Sequence, residues 1–129
     1  MIGLDTNVLV RYIMQDDAKQ SSKATELIES LTAVAPGFVS LVSIVELGWV
    51  LSSSYDLTRE QVAQALDLLL RTKEIVIDRA DQVLKALRVF KASSADFADC
   101  LIERTSASCD RTRTFNVGAA KSAGMTLIQ

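Results

Sequence analysis

Histidine is absent from the 129-residue sequence. Its absence excludes Ser-His-Asp and Cys-His catalysis, histidine general bases and every zinc site that uses histidine. Only two cysteines are present, Cys100 and Cys109, which are too few for a four-thiolate metal site. We interpret both as reduced, buried and small apolar side chains. The available chemistry therefore rests on carboxylate, hydroxyl, lysine and arginine groups.

Glycine and proline are also scarce, with five glycines and one proline. The glycines fit neither the GxGxxG nor the GxxxxGK pattern, so a glycine-rich nucleotide-binding loop has no support. No apolar run approaches the roughly 18 residues of a membrane-spanning helix. The N-terminal MIGLD lacks the basic and apolar regions of a secretory signal. We therefore expect a cytoplasmic protein with no membrane partner.

Short apolar runs alternate with helical patterns, and no repeat or linker-like tract divides the chain, so we predict a single domain over residues 1–129. Strands are predicted at Met1–Leu4, Phe38–Val42, Ile75–Ile77, Thr112–Phe115 and Met125–Ile128. Helical patterns cover Asn7–Met14, Ala24–Leu31, Ser43–Tyr55, Val62–Leu70 after a Thr58/Gln61 capping box, Val83–Phe90 and Phe97–Ile102. This order, which ends on two consecutive strands, predicts an α/β sandwich with a mainly parallel central sheet.

Positive charge is concentrated in the C-terminal part of the chain. Residues 1–78 carry six basic and eleven acidic side chains, whereas residues 79–129 carry eight and five. Basic side chains that contact phosphates supply salt-dependent affinity for nucleic acid. The candidate RNA contacts are Arg11, Arg104, Arg111, Arg113 and Lys121. A solvated surface explains these charges equally well.

Four carboxylates stand after predicted strands or at the start of a predicted helix. Asp5 ends the first strand, Glu46 follows the second, and Asp96 and Asp99 begin a helix. Each has a local explanation: a helix cap for Asp5, a capping box with Ser43 for Glu46, and a favourable helix-terminal charge for the pair. Together at one edge of a parallel sheet they would repel one another, and a hard divalent cation such as Mg²⁺ relieves such repulsion.

These residues stand in motifs that resemble those of the PIN-domain family, and more narrowly of VapC-type toxins from type II toxin-antitoxin pairs. The motifs are LDTNVL at residues 4–9, the glutamate within Ser43–Leu47, ADFADCLI at residues 95–102 and TFN at residues 114–116. The resemblance spans nearly the whole chain. It implies a three-layer α/β/α sandwich and a Mg²⁺- or Mn²⁺-dependent endoribonuclease that a cognate antitoxin inhibits and that forms a homodimer.

The resemblance also implies roles for individual residues. Asp5 and Asp99 match the principal metal ligands of the family, Glu46 matches a third acid, and Asp96 matches a frequent accessory acid. The family's usual fourth acid is replaced here by Asn116, which we keep among the catalytic candidates. An amide oxygen can bind a cation but brings no negative charge. In a site that holds two divalent ions, we therefore expect the second ion to bind more weakly.

Three explanations of Asn116 remain open: a natural variant with altered metal demand, an inactive member, or a laboratory substitution. Two hydroxyl groups near the proposed site, those of Thr6 and Thr114, are candidates for orienting water or a phosphate oxygen. Local hydrogen bonding at a strand end is the alternative role for each.

Two other functions compete with the nuclease. A non-catalytic interaction module would keep the fold and the antitoxin-binding groove while Asn116 marks lost activity. A receiver domain would use Asp78 as phosphoacceptor, but its acidic pair should directly follow the first strand, whereas Asp16 and Asp17 follow a helical segment.

Apolar residues that could bind partners lie on the helices between residues 18 and 70. They are Leu47, Trp49, Val50 and Leu51, near Val62 and Leu66, and ordinary core packing is the alternative. Trp49 and the phenylalanines stand in apolar contexts, so we predict that they pack in the core and do not stack on bases.

Overall fold

The central sheet is parallel and has three strands. The computed structural model describes residues 1–129, and β1 (Ile2–Gly3), β2 (Gly37–Val39) and β3 (Ile75–Ile77) pair in the order β1-β2-β3. Val39 is fully buried, in keeping with the central position of β2. Because all three strands run in the same direction, their carboxyl ends meet at one edge of the sheet.

Two helices follow each strand of this sheet. They are α1 (Thr6–Met14), α2 (Ala18–Glu29), α3 (Leu41–Ser53), α4 (Arg59–Arg71), α5 (Ala80–Ala92) and α6 (Phe97–Thr105). Parallel strands require such crossover connections. The predicted capping box is confirmed, since Thr58 and Gln61 exchange hydrogen bonds at the start of α4. The result is the predicted three-layer α/β/α sandwich with a parallel sheet.

The C-terminal segment differs from the predicted pair of consecutive strands. It forms β4 (Arg113–Thr114), α7 (Val117–Ser122) and β5 (Thr126–Leu127). The two strands pair in parallel as a separate two-stranded sheet. A parallel pair cannot be joined by a tight turn, so a crossover is needed, and α7 supplies it.

Both of the first two strands are shorter than predicted. The first covers Ile2–Gly3, and the second ends at Val39 because Ser40 caps α3, which begins at Leu41. The Ser40 hydroxyl accepts a hydrogen bond from the backbone N–H of Ser43 at 3.2 Å. Val42, predicted as the end of a strand, therefore lies in the first turn of α3, where it is exposed.

A single cluster of 27 buried apolar residues extends from Leu4 to Met125. Within it, the rings of Phe90 and Phe97 pack edge to face with centroids 5.7 Å apart.

Cys100 is buried as predicted, and burial raises the pKa of its thiol to about 11. Cys109 is exposed, so the prediction of burial is wrong for that residue. None of the helices combines the length and apolar character needed to cross a membrane.

The prediction that Trp49 belongs to the core is wrong. Ile44, Leu47 and Leu51 are fully buried at helical spacing on one face of α3, and Trp49 lies off that face with 65% of its surface exposed. Phe115 is exposed as well, in the short segment between β4 and α7. The partner surface predicted on these helices is correspondingly reduced, because four of its members are buried in the core: Leu47, Leu51, Val62 and Leu66.

Candidate functional site

Asp5 lies between β1 and α1 and caps the helix. Its extended backbone lets Oδ1 accept a hydrogen bond from the N–H of Thr6 at 2.8 Å. The side chain is exposed, and Oδ2 has no hydrogen bond within the protein. The local explanation from the sequence is thus correct, and one carboxylate oxygen is still available to a ligand.

Glu46 does not take part in the predicted capping box. The cap of α3 is Ser40, so Ser43 already lies inside the helix and Glu46 lies one turn further along. The Glu46 side chain is exposed and forms neither a hydrogen bond nor an ion pair in the protein. Because no structural contact explains this carboxylate, both of its oxygens are available.

Asp5 and Glu46 line the same open cavity, which has a volume of about 530 Å³. It lies where α1 packs against α3, beside the carboxyl end of β1. The other residues that line it are Thr6, Asn7, Val10, Arg11, Val50, Ser54 and Tyr55. Two carboxylates from separate helical segments therefore share one accessible space, which we call the acidic cavity.

Thr6 gives the acidic cavity a buried polar group that lacks a partner. The residue is 5% exposed, and its Oγ1 has no hydrogen bond. A buried hydroxyl without a partner costs about 1–3 kcal/mol. Local hydrogen bonding, the alternative role considered for this side chain, is therefore absent, and Oγ1 remains available to a bound ligand.

Asp96 and Asp99 stand together at the start of α6. Asp96 caps the helix by accepting a hydrogen bond from the N–H of Asp99 at 3.3 Å. Burial raises the pKa of Asp99 above its usual value, and the negative charge of Asp96 raises it further. Asp96 lines a different cavity, of about 130 Å³, together with Trp49 and Arg59.

The four predicted acids therefore do not all line one cavity. No three His, Cys, Asp or Glu side chains lie close enough together to hold a metal ion. The chemistry of Asp5 and Glu46 nevertheless fits Mg²⁺, which is commonly held by one or two carboxylates, waters and substrate phosphates. The orphaned hydroxyl of Thr6 beside them adds a further oxygen without a partner.

Asn116 caps the short helix α7. Its Oδ1 accepts a hydrogen bond from the N–H of Ala119 at 2.9 Å. Its own backbone N–H donates to Oγ1 of Thr114 at 3.0 Å, so Thr114 has the local contact expected at a strand end. Asn116 lies in neither of the two cavities described above. Its amide oxygen is already engaged in capping the helix.

A family model for the PIN domain matches residues 2–109. The chain belongs to the PIN-domain family. PIN domains are generally nucleases and typically use divalent metals. The match includes all four predicted acids and ends before Asn116. No curated protein matches the chain significantly. Asp78 follows β3 inside the matched region, and the match gives no support to a receiver domain in which it would be phosphorylated.

The candidate RNA-binding residues of the PIN domain fall into two groups. Arg111, Arg113 and Lys121 are exposed and form no ion pair. Arg104 is engaged with both carboxylate oxygens of Glu103, which raises its pKa. Arg11 is likewise paired within the protein. The unpaired cations lie in the C-terminal segment, where the sequence predicted an excess of positive charge.

Sequence reasoning missed the polar residues that hold Arg11 in the PIN domain. Nη1 of Arg11 donates to both carboxylate oxygens of Asp16, at 3.0 and 3.1 Å, and to the hydroxyl of Tyr55 at 3.2 Å. Its Nε donates to Gln20 at 2.8 Å. No sequence pattern joins Arg11 to Tyr55, since 44 positions separate them.

Proposed function

We propose that this PIN domain, taken as a single domain over residues 1–129, is a Mg²⁺- or Mn²⁺-dependent endoribonuclease of the VapC toxin type. The observation that carries the proposal is the acidic cavity. There Asp5 and Glu46 bring carboxylate oxygens without protein partners to one space, beside the buried and unpartnered hydroxyl of Thr6. Glu46 makes no protein contact that would explain it, and the buried hydroxyl of Thr6, left without a partner, points to a ligand.

In this proposal Asp5 and Glu46 hold the metal ion. The roles of Asp99 as a further ligand and of Asp96 as an accessory acid rest on the family resemblance alone, since neither forms a three-carboxylate group with Asp5 and Glu46. A divalent ion held there would lower the pKa of a water for hydrolysis and offset the negative charge of the phosphodiester. The Thr6 hydroxyl would donate a hydrogen bond to a water or to a phosphate oxygen. Burial and the negative charge of Asp96 raise the pKa of Asp99, and a cation bound nearby would favour its charged form.

The proposed substrate is RNA in the cytoplasm. Its phosphates would contact the exposed and unpaired cations of the C-terminal segment, Arg111, Arg113 and Lys121. Arg104 is a weaker candidate, because Glu103 already compensates its charge.

The proposed protein partners are a cognate antitoxin and a second copy of the chain. Large apolar side chains that the fold leaves exposed support contacts with other proteins: Val42 and Trp49 on α3, and Phe115 and Val117 near α7. Val42 and Trp49 stand seven positions apart and so share one face of α3.

The test is cleavage of labelled RNA by purified protein with Mg²⁺ or Mn²⁺, against an EDTA control. Asp5→Ala and Glu46→Gln should each lower the rate about a hundredfold or more, as when one electrostatic group is removed from an active site. Glu29→Gln is the matched control, because Glu29 is an exposed acid at the end of α2 and away from the acidic cavity. Equal rates for Glu46→Gln and Glu29→Gln would contradict the proposal.

A second candidate function is a non-catalytic interaction module. Two observations favour it: no three acidic side chains are grouped closely enough to hold a metal ion, and Asn116 is engaged as a helix cap. This function predicts no metal-dependent cleavage of a broad RNA panel by the wild-type chain or by Asn116→Asp.

A further inference from the structure

Arg11 lies on the wall of the acidic cavity and is held by three side chains. We propose that Arg11 binds a phosphate of the RNA strand next to this cavity, and that Asp16 and Tyr55 are positioning residues that hold its guanidinium for that contact. The inference rests on the proposed nuclease function and names a substrate-binding residue of the same site.

The geometry leaves one side of the guanidinium without a partner. Nη1 is used by Asp16 and Tyr55, and Nε by Gln20. Nη2 makes no hydrogen bond within the protein, and the Arg11 side chain is 31% exposed. A guanidinium has five N–H donors in a rigid fork that matches the oxygens of a phosphate. The two N–H groups of Nη2 are therefore available to such a ligand.

Three separate parts of the chain hold Arg11 in place. Arg11 lies in the last turn of α1, Asp16 in the loop before α2, Gln20 in α2, and Tyr55 just after α3. Tyr55 also donates a hydrogen bond to Oδ2 of Asp16 at 2.7 Å, so Asp16 is itself held. A long side chain fixed at several points loses less freedom when it binds a ligand. The guanidinium is therefore ordered before RNA arrives.

The location connects this contact to the proposed chemistry. Arg11 and Tyr55 line the acidic cavity together with Asp5 and Glu46. Carboxylates repel an approaching phosphodiester, and a hydrogen bond from the wall of the same cavity to a phosphate oxygen offsets part of that repulsion. Because Asp16 compensates the charge of Arg11, Arg11 acts as a directed hydrogen-bond donor, unlike the unpaired cations Arg111 and Arg113.

The experiment measures binding of a labelled single-stranded RNA in EDTA, so that cleavage plays no part. Arg11→Gln should weaken binding about tenfold and reduce the slope of log K against log salt by about 0.7, the contribution of one phosphate contact to a single strand. Arg11→Lys keeps the charge without the planar fork, so its affinity should be well below that of the wild type.

The variant Asp16→Asn distinguishes a positioning role of Asp16 from the effect of its negative charge on RNA binding. It makes the net charge more positive by one, so a purely electrostatic surface would bind RNA more tightly. If Asp16 positions Arg11, binding should instead weaken about three- to fivefold relative to Glu29→Gln, which makes the same charge change elsewhere. Affinity for Asp16→Asn equal to or above that of Glu29→Gln would overturn the inference.

Tyr55→Phe removes only a hydroxyl group and keeps the test decisive if Asp16→Asn fails to fold. It should also weaken binding, while Tyr12→Phe, which alters a tyrosine without a hydroxyl hydrogen bond, should not. Equal affinities for the two tyrosine variants would overturn the positioning role. If the wild-type protein binds RNA but shows no metal-dependent cleavage, the proposed hydrolysis is overturned and the Arg11 contact with RNA is not.

Discussion

The hydroxyl of Tyr55 donates a hydrogen bond to Oδ2 of Asp16 across 39 positions of sequence, at 2.7 Å. This contact is the largest cause that lowers the pKa of Asp16, and the hydrogen bond from Arg11 adds to it against the opposing effect of desolvation. The same contact raises the pKa of Tyr55. The pair therefore ties the loop before α2 to the end of α3 at the rim of the acidic cavity.

The lowered pKa of Asp16 predicts that this contact is sensitive to acid. The folded-state pKa lies below the usual 3.8, so the stabilisation is present above about pH 3.8 and is lost as pH falls through the lowered value. Tyr55→Phe removes the largest cause and should move the pKa of Asp16 back toward 3.8. An NMR titration of the Asp16 carboxyl carbon measures it, with Tyr12→Phe as a control that should leave the pKa unchanged.

Thr6→Val should separate stability from activity. The substitution replaces a buried, unpartnered hydroxyl by a methyl group of similar size. The free energy of unfolding should therefore stay level or rise by about 1 kcal/mol. RNA cleavage should fall if the hydroxyl contacts water or phosphate. Melting temperature and initial rate are measured on the same preparation. Full activity of Thr6→Val would exclude Thr6 from the site. The comparison variant is Thr114→Val, because Thr114 lies outside the acidic cavity.

Asp99→Asn should stabilise the protein at neutral pH. The raised pKa of Asp99 means that the fold disfavours its charged form, and this penalty grows as pH rises from 3.8 toward the folded-state pKa and is complete above it. The gain in melting temperature over the wild type should therefore shrink as pH falls toward and below 3.8, the usual pKa. Cleavage should be lost in the same variant.

The control for this experiment is Asp81→Asn, which neutralises an exposed acid in the first turn of another helix, α5. It should show no gain in melting temperature at neutral pH, because an acid there favours the helix dipole. A pH-independent difference between Asp99→Asn and the wild type would contradict the assigned cause.

Asn116→Asp should preserve α7 and raise metal-dependent cleavage. A carboxylate at this position can still accept the hydrogen bond from Ala119 N–H, and it supplies the negative charge that an amide lacks. Asn116→Ala should lose the cap, cost about 1 kcal/mol and bring no gain in rate. Melting curves and Mg²⁺ titrations of cleavage distinguish the two. An unchanged Mg²⁺ dependence in Asn116→Asp would show that the missing charge does not limit metal use.

Local sequence patterns predicted much of the fold. The strand Ile75–Ile77 was predicted with its observed bounds, because three β-branched residues stand together in a short run. The Thr58/Gln61 cap was also predicted, since the whole motif lies within four residues. The helix α7 was missed because it has only six residues and no apolar face long enough to show helical periodicity.

The candidate site was predicted only in part. The placement of Asp5 and Glu46 in one cavity agrees with the expectation that acids after parallel strands meet at one edge. The local explanation for Glu46 was wrong because the cap of α3 is Ser40, three residues before Ser43, the assumed cap. The exposure of Trp49 was missed because apolar composition along α3 does not show which face the neighbouring helices cover.

The sequence by itself determined the classes of available chemistry, the alternation of strands and helices from β1 to α6, and the helix caps at Asp5 and Thr58, because each depends on residue identity or on contacts a few positions apart. Only the tertiary structure decided that Arg11 pairs with Tyr55 and Asp16, that Thr6 is buried without a partner, and that Asp96 lines a different cavity from Asp5. These facts depend on how helices distant in sequence pack together, and the packing sets the distances between charges.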